Sequence, residues 1–316
     1  MTRILVTTDL SLNSETALPW AKLIMDKMNA SMTFLCVVNP HPLPEYDSFA
    51  MPHAMGFYVE ETENKAQEKM KKMLASRSIE GDVEIRVIRN AFAQEGILRM
   101  MRSGRFDLVI MATHGYSSCE NLLLGSVTER VVRHSTIPIL CVRCVEEIPK
   151  IERILCPSDF SKYSSIGIKV GSLLANLFEA EIDLLHICED VVNGYGAYAN
   201  PLIRMKTEME LHRAMEKFGV DNGCFEGTTH VAKGSVPSLI NEFADKYLDD
   251  LIVMSSHGHT GLMDYLIGSN TERVIRHGRH PVLVCPTESE SSIYKKEMED
   301  DELNVVLEVE DERVFA

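Results

Sequence analysis

The 316-residue chain contains two copies of one unit. Four blocks recur in the same order: Arg3–Ser11 with Arg153–Ser161, Asp107–Gly115 with Asp250–Gly258, Gly125–His134 with Gly268–His277, and Pro138–Val142 with Pro281–Cys285. The spacing is 150 residues at the first block and 143 at the later ones, so the copies differ in length near their middle. Repeated blocks in a fixed order predict two tandem domains rather than one large core.

Within each copy, short apolar segments alternate with amphipathic helical patterns. The predicted strands of the first copy are Ile4–Thr7, Met32–Val38, Val83–Ile88, Leu108–Ala112 and Ile137–Val142. The predicted helices are Ser14–Met28, Glu60–Ala75, Gln94–Arg102 and Val127–His134. Most of these strands lack the alternation of a half-exposed strand, which is typical of parallel sheets covered on both faces. The sequence therefore predicts an α/β fold of two tandem, doubly wound, five-stranded parallel-sheet domains with helices on both faces.

We expect the two domains to cover residues 1–146 and 151–286, followed by an acidic tail over 287–316. The tail holds eleven acidic and three basic residues, so it supplies −8 of the formal net charge of −15. Such a composition favours a flexible segment. Two further segments, Asn39–Tyr58 and Glu189–Pro201, are expected to be irregular loops.

The charge and the apolar pattern exclude several classes of protein. The chain has 32 Lys and Arg against 47 Asp and Glu, which argues against nucleic acid or an anionic membrane as a partner. It shows no secretion signal and no uncharged apolar run long enough to span a bilayer. Most of the eight cysteines lie in apolar runs of the sequence. Cysteines used in this way suit a reducing compartment. We therefore expect a cytoplasmic protein with no membrane partner.

Matched polar and glycine positions follow the predicted strands of both copies. Asp9 and Asp159 follow the first strands. The fourth strands lead to the other matched positions: His114, Gly115, Gly125 and Ser126 in the first copy, and His257, Gly258, Gly268 and Ser269 in the second. Ligands of open parallel sheets bind beyond the carboxyl ends of the strands, where the strand order reverses. A glycine turn that opens a helix offers backbone N–H groups to a phosphate. These positions predict a phosphate-containing ligand at that edge.

This combination resembles the universal stress protein family in its tandem form. Nucleotide-binding members of that family carry G-x-x-G, nine residues, and then G-S or G-T around ATP. The chain reads ATHG at 112–115 and GS at 125–126, and SSHG at 255–258 and GS at 268–269, with nine residues between in both copies. The resemblance covers residues 1–286 and implies an ATP-binding module of the stress response, with Mg²⁺ accompanying the ATP, that is at most a slow ATPase.

The resemblance also assigns individual residues. Asp9 and Asp159 match the aspartate of the adenine and ribose pocket, while Val37 and Ile187 match the apolar residue whose backbone meets the adenine edge. The phosphate loops are Ala112, His114, Gly115, Gly125, Ser126 and Val127, and Ser255, His257, Gly258, Gly268, Ser269 and Asn270. No residue is assigned to catalysis or to a metal. The second copy follows the family more closely, through the GHTGL of residues 258–262, and is the expected site if only one copy binds.

Structural interpretations of the same residues stay open. Ser126 with Glu129 fits a capping box that would start the last helix without any ligand, as do the matching residues of the second copy. The glycines fit a purely structural turn, and Asp9 and Asp159 fit helix caps.

Two other functions also stay open. Ala112 and Ser255 replace the first glycine of the motif, which is compatible with a nucleotide-free scaffold of the same fold. The wider adenine-nucleotide α-hydrolase-like group includes enzymes that cleave ATP at the α-phosphate. Those enzymes carry an S-G-G-x-D-S type of loop after the first strand, whereas residues 8–11 read TDLS.

The closing strands suggest how the copies associate. In the family the last strand commonly pairs with its twin across a dimer interface. Here Ile137–Val142 and Val282–Cys285 are expected to pair within one chain as an intramolecular pseudo-dimer, which would cover two exposed sheet edges. A homodimer of whole chains is a further possibility.

Overall fold

The computed structural model of the chain describes residues 2–40, 52–113, 124–143, 149–161, 163–188, 209, 213, 227–257 and 267–286. The fold separates into two compact units: unit 1 is Met1–Pro149 and unit 2 is Lys150–Ala316. Each unit is described by itself below.

Unit 1 alternates strands with helices. Its strands are β1 (Arg3–Thr8), β2 (Ser31–Val38), β3 (Val83–Arg89), β4 (Leu108–Ala112) and β5 (Ile139–Val142). Its helices are a 3₁₀ turn (Ser14–Thr16), α1 (Ala17–Met28), α2 (Pro52–Ser76), α3 (Ala93–Gly104) and α4 (Ser126–Arg133).

Unit 2 repeats this alternation in its described residues. Its strands are β6 (Arg153–Pro157), β7 (Glu181–Cys188), β8 (Gly227–Lys233), β9 (Leu251–Ser255) and β10 (Val282–Cys285). Its helices are α5 (Ser164–Phe178), α6 (Val236–Tyr247) and α7 (Ser269–His277).

The two units share one sheet topology. The strand order is β3-β2-β1-β4-β5 in unit 1 and β8-β7-β6-β9-β10 in unit 2. All neighbouring strands within each unit are parallel. The predicted fold class, two tandem doubly wound domains with a five-stranded parallel sheet each, is confirmed.

The central strands are covered on both faces. Residues 4–8 of β1 are all buried, as are all five residues of β9. Because successive side chains of a strand point to opposite faces, unbroken burial shows that both faces of the sheet are covered. The outer strand β3 contains only half-buried and exposed residues, as expected for a sheet edge.

The strand order reverses beside the first strand of each unit. β1 lies between β2 and β4, so the chain leaves β1 toward one side of the sheet and returns on the other. Thr8 and Ala112 therefore end neighbouring strands at the same edge, as Pro157 and Ser255 do in unit 2. This is the place where doubly wound sheets bind ligands.

One predicted loop is shorter than expected. Helix α2 begins at Pro52, inside the segment Asn39–Tyr58 that the sequence predicts to be irregular. Proline suits the first turn of a helix because its missing N–H has no helical partner there and its φ is already helical. Residues 41–51, and all of the second predicted loop, 189–201, lie outside the described residues. Within the described part of the chain, no helix combines the length and apolar character needed to cross a bilayer.

The burial of β1 predicts that shortening Leu5, which is 0% exposed, destabilises unit 1. Leu5→Ala should lower the free energy of unfolding by about 2–5 kcal/mol because it leaves a cavity in a covered sheet. Leu12→Ala, at an 81% exposed side chain nearby, should change it by less than about 0.5 kcal/mol. Urea unfolding followed by the fluorescence of Trp20, the single tryptophan and a residue of α1, measures both. Equal effects of the two variants would contradict the described packing.

Candidate functional site

The loop after β1 closes on the carboxylate of Asp9. Oδ1 of Asp9 accepts the Ser11 N–H at 3.0 Å and the Ser11 hydroxyl at 2.5 Å. Leu10 lies between them with φ of 66°, and its N–H donates to Thr8 Oγ1 at 2.9 Å. A leucine in this left-handed region costs about 1 kcal/mol, so the surrounding hydrogen bonds hold the turn. Both bonds to Asp9 use Oδ1, and the residue is exposed, so Oδ2 can accept a hydrogen bond from a ligand.

A chain of hydroxyl groups ties this turn to the helix that follows. The Ser14 hydroxyl donates to the Ser11 carbonyl at 2.9 Å, and the Ser14 N–H donates to Ser11 Oγ at 3.1 Å. Thr8 Oγ1 and Ser14 Oγ are 2.8 Å apart. Because the single Ser14 proton is already used, Thr8 is the donor in this pair. The position of Asp9 is therefore fixed from both sides.

Unit 2 builds the same turn from different residues. Asp159 Oδ1 accepts the Ser161 N–H at 3.0 Å, and Phe160 has φ of 61° and donates its N–H to Ser158 Oγ at 3.2 Å. The Ser158 and Ser164 hydroxyls are 3.1 Å apart, and the Ser164 hydroxyl donates to the Ser161 carbonyl at 3.0 Å. In both units the aspartate accepts a hydrogen bond within its own turn, and the capping residue of the helix that follows is another residue, Thr16 or Tyr163. The helix-cap interpretation of Asp9 and Asp159 is therefore wrong.

Val37 and Ile187 occupy matching positions near the carboxyl ends of β2 and β7. Both are half-buried. Val37 packs tightly under the start of α3, because a Cβ added to Gly96 would lie 2.9 Å from Val37 Cγ1. The absence of a side chain at Gly96 therefore makes room for the Val37 side chain at the end of β2.

The residue before each of these differs between the units. Burial, followed by the negative charge of Asp9, raises the pKa of the Cys36 thiol to about 12, so it is a poor nucleophile at neutral pH. In unit 2 the corresponding residue is His186, whose Nδ1 donates to the Ser158 carbonyl at 2.8 Å. Its ring lies against Phe160, with the ring centroids 4.5 Å apart. Unit 2 therefore has an aromatic pair where unit 1 has a thiol.

The turns before α4 and α7 are built alike around glycine. The Gly125 N–H donates to the Thr113 carbonyl at 2.8 Å, and the Gly268 N–H donates to the Ser256 carbonyl at 2.6 Å. A Cβ on Gly268 would lie 3.1 Å from that carbonyl oxygen, which is tighter than ordinary contact. The glycine lets the helix start close against the loop that leaves β9.

The helix starts carry no side-chain cap. Gly125 is the capping residue of α4, Ser126 is its first helical residue, and the Glu129 N–H donates to the Gly125 carbonyl at 2.9 Å. The same holds for Gly268 and Ser269 at α7. The capping-box interpretation is therefore wrong, because the serine lies one position too far inside the helix. The backbone N–H groups of the first turn have no side-chain cap, and the positive end of the helix dipole lies there.

A threonine in each helix binds the end of the neighbouring strand. Thr128 Oγ1 donates to the Ala112 carbonyl at 2.9 Å, and Thr271 Oγ1 donates to the Ser255 carbonyl at 3.0 Å. Both threonines are buried. These bonds hold each helix start against the last residue of β4 or β9. The sequence-based prediction missed both residues, although the same hydroxyl at the same position in both copies was a usable signal.

The side chain at the first glycine position of unit 2 is used within its own loop. The Ser255 hydroxyl donates to the His257 carbonyl at 2.5 Å. Ser256 Oγ lies 2.8 Å from His257 Nδ1, which orients the half-buried imidazole. The replacement of glycine by Ser255 therefore adds a bond that shapes the loop.

Most of the predicted site residues meet at one edge of each sheet. Asp9, Val37, Ala112, Gly125, Ser126 and Val127 lie at strand ends or the helix start of unit 1, and Asp159, Ile187, Ser255, His257, Gly268, Ser269 and Asn270 lie at the matching places of unit 2. His114, Gly115 and Gly258 lie outside the described residues.

Comparison with known proteins identifies the family of the chain. The model of the universal stress protein family matches residues 1–143 and again residues 150–286. The chain belongs to the universal stress protein family. The match in two segments confirms its tandem form.

Relatives within the universal stress protein family match one or both units. Universal stress protein MJ0531 of Methanocaldococcus jannaschii is 32% identical over 139 residues, which are 42% of this chain and 81% of the relative. Universal stress protein E of Escherichia coli K12 is 23% identical over 235 residues, 69% of this chain and 73% of the relative. The solved structure of a universal stress protein from Archaeoglobus fulgidus DSM 4304 has a TM-score of 0.65 and 22% identity, with 90% of this chain and 98% of that chain covered. This likeness supports the fold.

The threonine bonds predict a specific loss of stability. Thr271→Val keeps the shape of the side chain but leaves the Ser255 carbonyl without its donor, which should cost about 1–3 kcal/mol in the free energy of unfolding. Thr271→Ser keeps the hydroxyl and should recover most of that loss. Urea unfolding followed by far-ultraviolet circular dichroism measures both variants. If valine were tolerated as well as serine, the bond would have no part in holding the helix start.

Proposed function

We propose that the protein binds an adenine nucleotide, ATP with Mg²⁺, at the carboxyl edge of its sheets and acts as a binding or regulatory module of the stress response. The observation that carries this proposal is the uncapped start of α4 and α7 beside the aspartate turn that follows β1 and β6. Both features occur in both units, at the reversal of the strand order. The family's ATP motif, G-x-x-G followed by nine residues and G-S or G-T, falls on the same positions, apart from Ala112 and Ser255.

The residues present fit the parts of a nucleotide. The N–H groups of Ser126 and Val127, or of Ser269 and Asn270, belong to the first turn of a helix and would bind phosphate oxygens at its positive end. The aspartate turns offer carboxylate oxygens to hydroxyl or amino donors of the ribose and base. The backbone beside Val37 and Ile187 offers the adenine edge its hydrogen-bonding groups.

The magnesium ion would be held mainly by the nucleotide. Among the described residues, no group of three or more His, Cys, Asp or Glu side chains is arranged to hold a metal ion. Mg²⁺ at nucleotide sites commonly keeps several waters and binds phosphate oxygens. The protein therefore does not need a full set of metal-binding side chains at this edge. Mg²⁺ would lower the negative charge that the helix start has to receive.

Unit 2 is the stronger candidate for binding. Its loop residue Ser255 is satisfied by the His257 carbonyl, so the hydroxyl need not crowd a ligand. Its edge also carries the His186 and Phe160 rings, which give a base an aromatic surface that Cys36 and Leu10 do not give in unit 1.

Further parts of the proposal concern the whole chain. We propose domain boundaries at 1–146 and 151–286, a flexible acidic tail over 287–316 and a cytoplasmic location. The intramolecular pseudo-dimer stays a prediction. The homodimer of whole chains stays a prediction as well. Neither nucleic acid nor a membrane is part of the proposal, because the net charge of −15 opposes both.

Calorimetric titration of nucleotide-free protein with ATP and Mg²⁺ tests the proposal. The full-length protein should bind saturably, and Gly268→Val should weaken the unit 2 site at least about tenfold, or about 1.4 kcal/mol. The physical reason is that the added side chain meets the Ser256 carbonyl and covers the helix start. Gly125→Val makes the matching change in unit 1 and should have the smaller effect on the tighter site. Glu242→Gln, an exposed change in α6, is the control for folding.

The alternatives give different results in the same samples. A lack of binding at millimolar ATP would contradict the proposal and favour the nucleotide-free scaffold that Ala112 and Ser255 allow. Chromatography of the nucleotide products separates the remaining cases. AMP and pyrophosphate at enzymic turnover would favour the enzyme that cleaves the α-phosphate, whereas slow ADP formation or none is expected from a binding module.

A further inference from the structure

A buried charged cluster lies in unit 2, away from the proposed nucleotide edge. It joins Arg153 at the start of β6, Asp183 of β7, His230 of β8 and Asp249, which lies two residues before β9. The Asp183 side chain is 1% exposed, and Asp249 is 2% exposed. Both oxygens of Asp249 are buried without a hydrogen-bond partner in the described part of the chain. A buried carboxylate in that state is costly unless it is neutralised.

The cations of the cluster are already engaged with other carboxylates. Arg153 donates to Asp183 Oδ2 at 2.5 Å and also pairs with Glu181. His230 Nε2 lies 3.4 Å from Asp183 Oδ1, and its ring packs against Tyr247 with the centroids 4.7 Å apart. Asp183 therefore has two positive or polar partners. Neither Arg153 nor His230 lies within hydrogen-bonding distance of Asp249.

Unit 1 has no such cluster at the matching positions. The residue that corresponds to Asp249 is Phe106, and the one that corresponds to Asp183 is Thr33. The Arg3 guanidinium lies over the Phe106 ring, 5.3 Å from its centroid. The fold is therefore built in unit 1 without either buried carboxylate, so the pair in unit 2 is not a requirement of the architecture.

We propose that Asp183 and Asp249 form a proton-binding site in unit 2. One proton on Asp249 neutralises the pair, and its O–H becomes a donor to the Asp183 carboxylate. Release of that proton leaves two buried negative charges that share one arginine, which weakens the packing around the cluster. Unit 2 thereby acquires a stability that depends on pH, which unit 1 lacks at the matching positions.

The surroundings of Asp249 account for which carboxyl holds the proton. Burial, followed by the negative charge of Asp183, raises the pKa of Asp249 to about 8, although Arg153 acts in the opposite direction. Burial also acts to raise the pKa of Asp183, but the hydrogen bonds from His230 and Arg153 outweigh it, and the net shift is downward. Two carboxyl groups whose pKa values are driven apart take different protonation states at neutral pH.

The other groups around Asp249 do not supply a cation. Asp250, the next residue, adds negative charge, and its Oδ2 accepts the N–H groups of Glu152 and Arg153 at 2.8 and 3.1 Å. The buried Cys156 thiol on β6 has its pKa raised by burial and by nearby groups that include Asp249, so it stays neutral. From α6, the Lys246 ammonium is bonded to the Tyr247 hydroxyl at 3.2 Å.

The direction of the pH effect follows from the raised pKa. The unfolded chain releases the Asp249 proton above about pH 4, whereas the folded unit keeps it up to about pH 8. Stability linked to this proton is therefore complete at low pH and falls as the pH rises between these values. The lowered pKa of Asp183 acts only at more acidic pH, where its protonation removes stability.

Carboxyl NMR of the full-length protein labelled with ¹³C-aspartate tests the site directly. One aspartate signal should titrate with a midpoint near pH 8 and be missing in Asp249→Asn, which also assigns it. An Asp249 signal that titrates below about pH 5 would overturn the proposal. The titration uses the unaltered chain, so it is informative even if the variant is less stable.

Hydrogen exchange of peptides from β6, β7 and β9 gives the second measurement. After correction for intrinsic exchange, the opening constant of unit 2 should rise about tenfold per pH unit between about pH 5 and pH 8. Asp249→Asn should remove this rise, whereas Glu242→Gln, which neutralises an exposed carboxylate of α6, should keep it. A rise that survives in Asp249→Asn, or no rise in the unaltered protein, would contradict the proposal.

Discussion

The covering of both sheet faces is the constraint on which the rest of the structure depends. Parallel strands need long crossover connections, and the helices in those connections bury the sheet from both sides. A ligand can then reach the strands only at their ends. β4 returns on the opposite side of β1 from β2, and the same arrangement recurs around β6. Doubly wound sheets bind ligands at the edge where the strand order reverses in this way. The position of the proposed site is thus a consequence of strand order.

The edge obtains its chemistry from backbone groups held by buried hydroxyls. Thr8 and Ser14 hold the aspartate turn of unit 1, and Thr128 holds the start of α4 against β4. In unit 2, Ser158 and Ser164 hold the aspartate turn, and Thr271 holds the start of α7 against β9. An anion site made of fixed N–H groups depends little on net charge, so it is compatible with a strongly acidic chain. Most of that acidity in any case belongs to the tail.

The sequence was informative where a pattern is local and repeated. Unbroken apolar runs predicted the strands, and the paired blocks predicted that Asp9 and Gly125 lie at one edge. The hydroxyl contacts of Thr128 were missed because they join residues far apart in the chain. The sequence predicts a loop at Pro52, because proline is typical of turns as well as of helix starts. The sequence does not predict the burial of Asp249, because an acidic residue after a helix is usually solvated. Its exposure of 2% in the structure shows that the carboxyl group is buried.

The central claim is that nucleotide phosphates bind at the starts of α4 and α7. Backbone amide NMR of the ¹⁵N-labelled, nucleotide-free protein during addition of ATP and Mg²⁺ tests it most directly. The account predicts saturable shifts of the Ser269 and Asn270 amides, with Ser126 and Val127 following at equal or higher ATP concentration. Amides at these helix starts that do not move at millimolar ATP, or shifts confined to other parts of the chain, would contradict it.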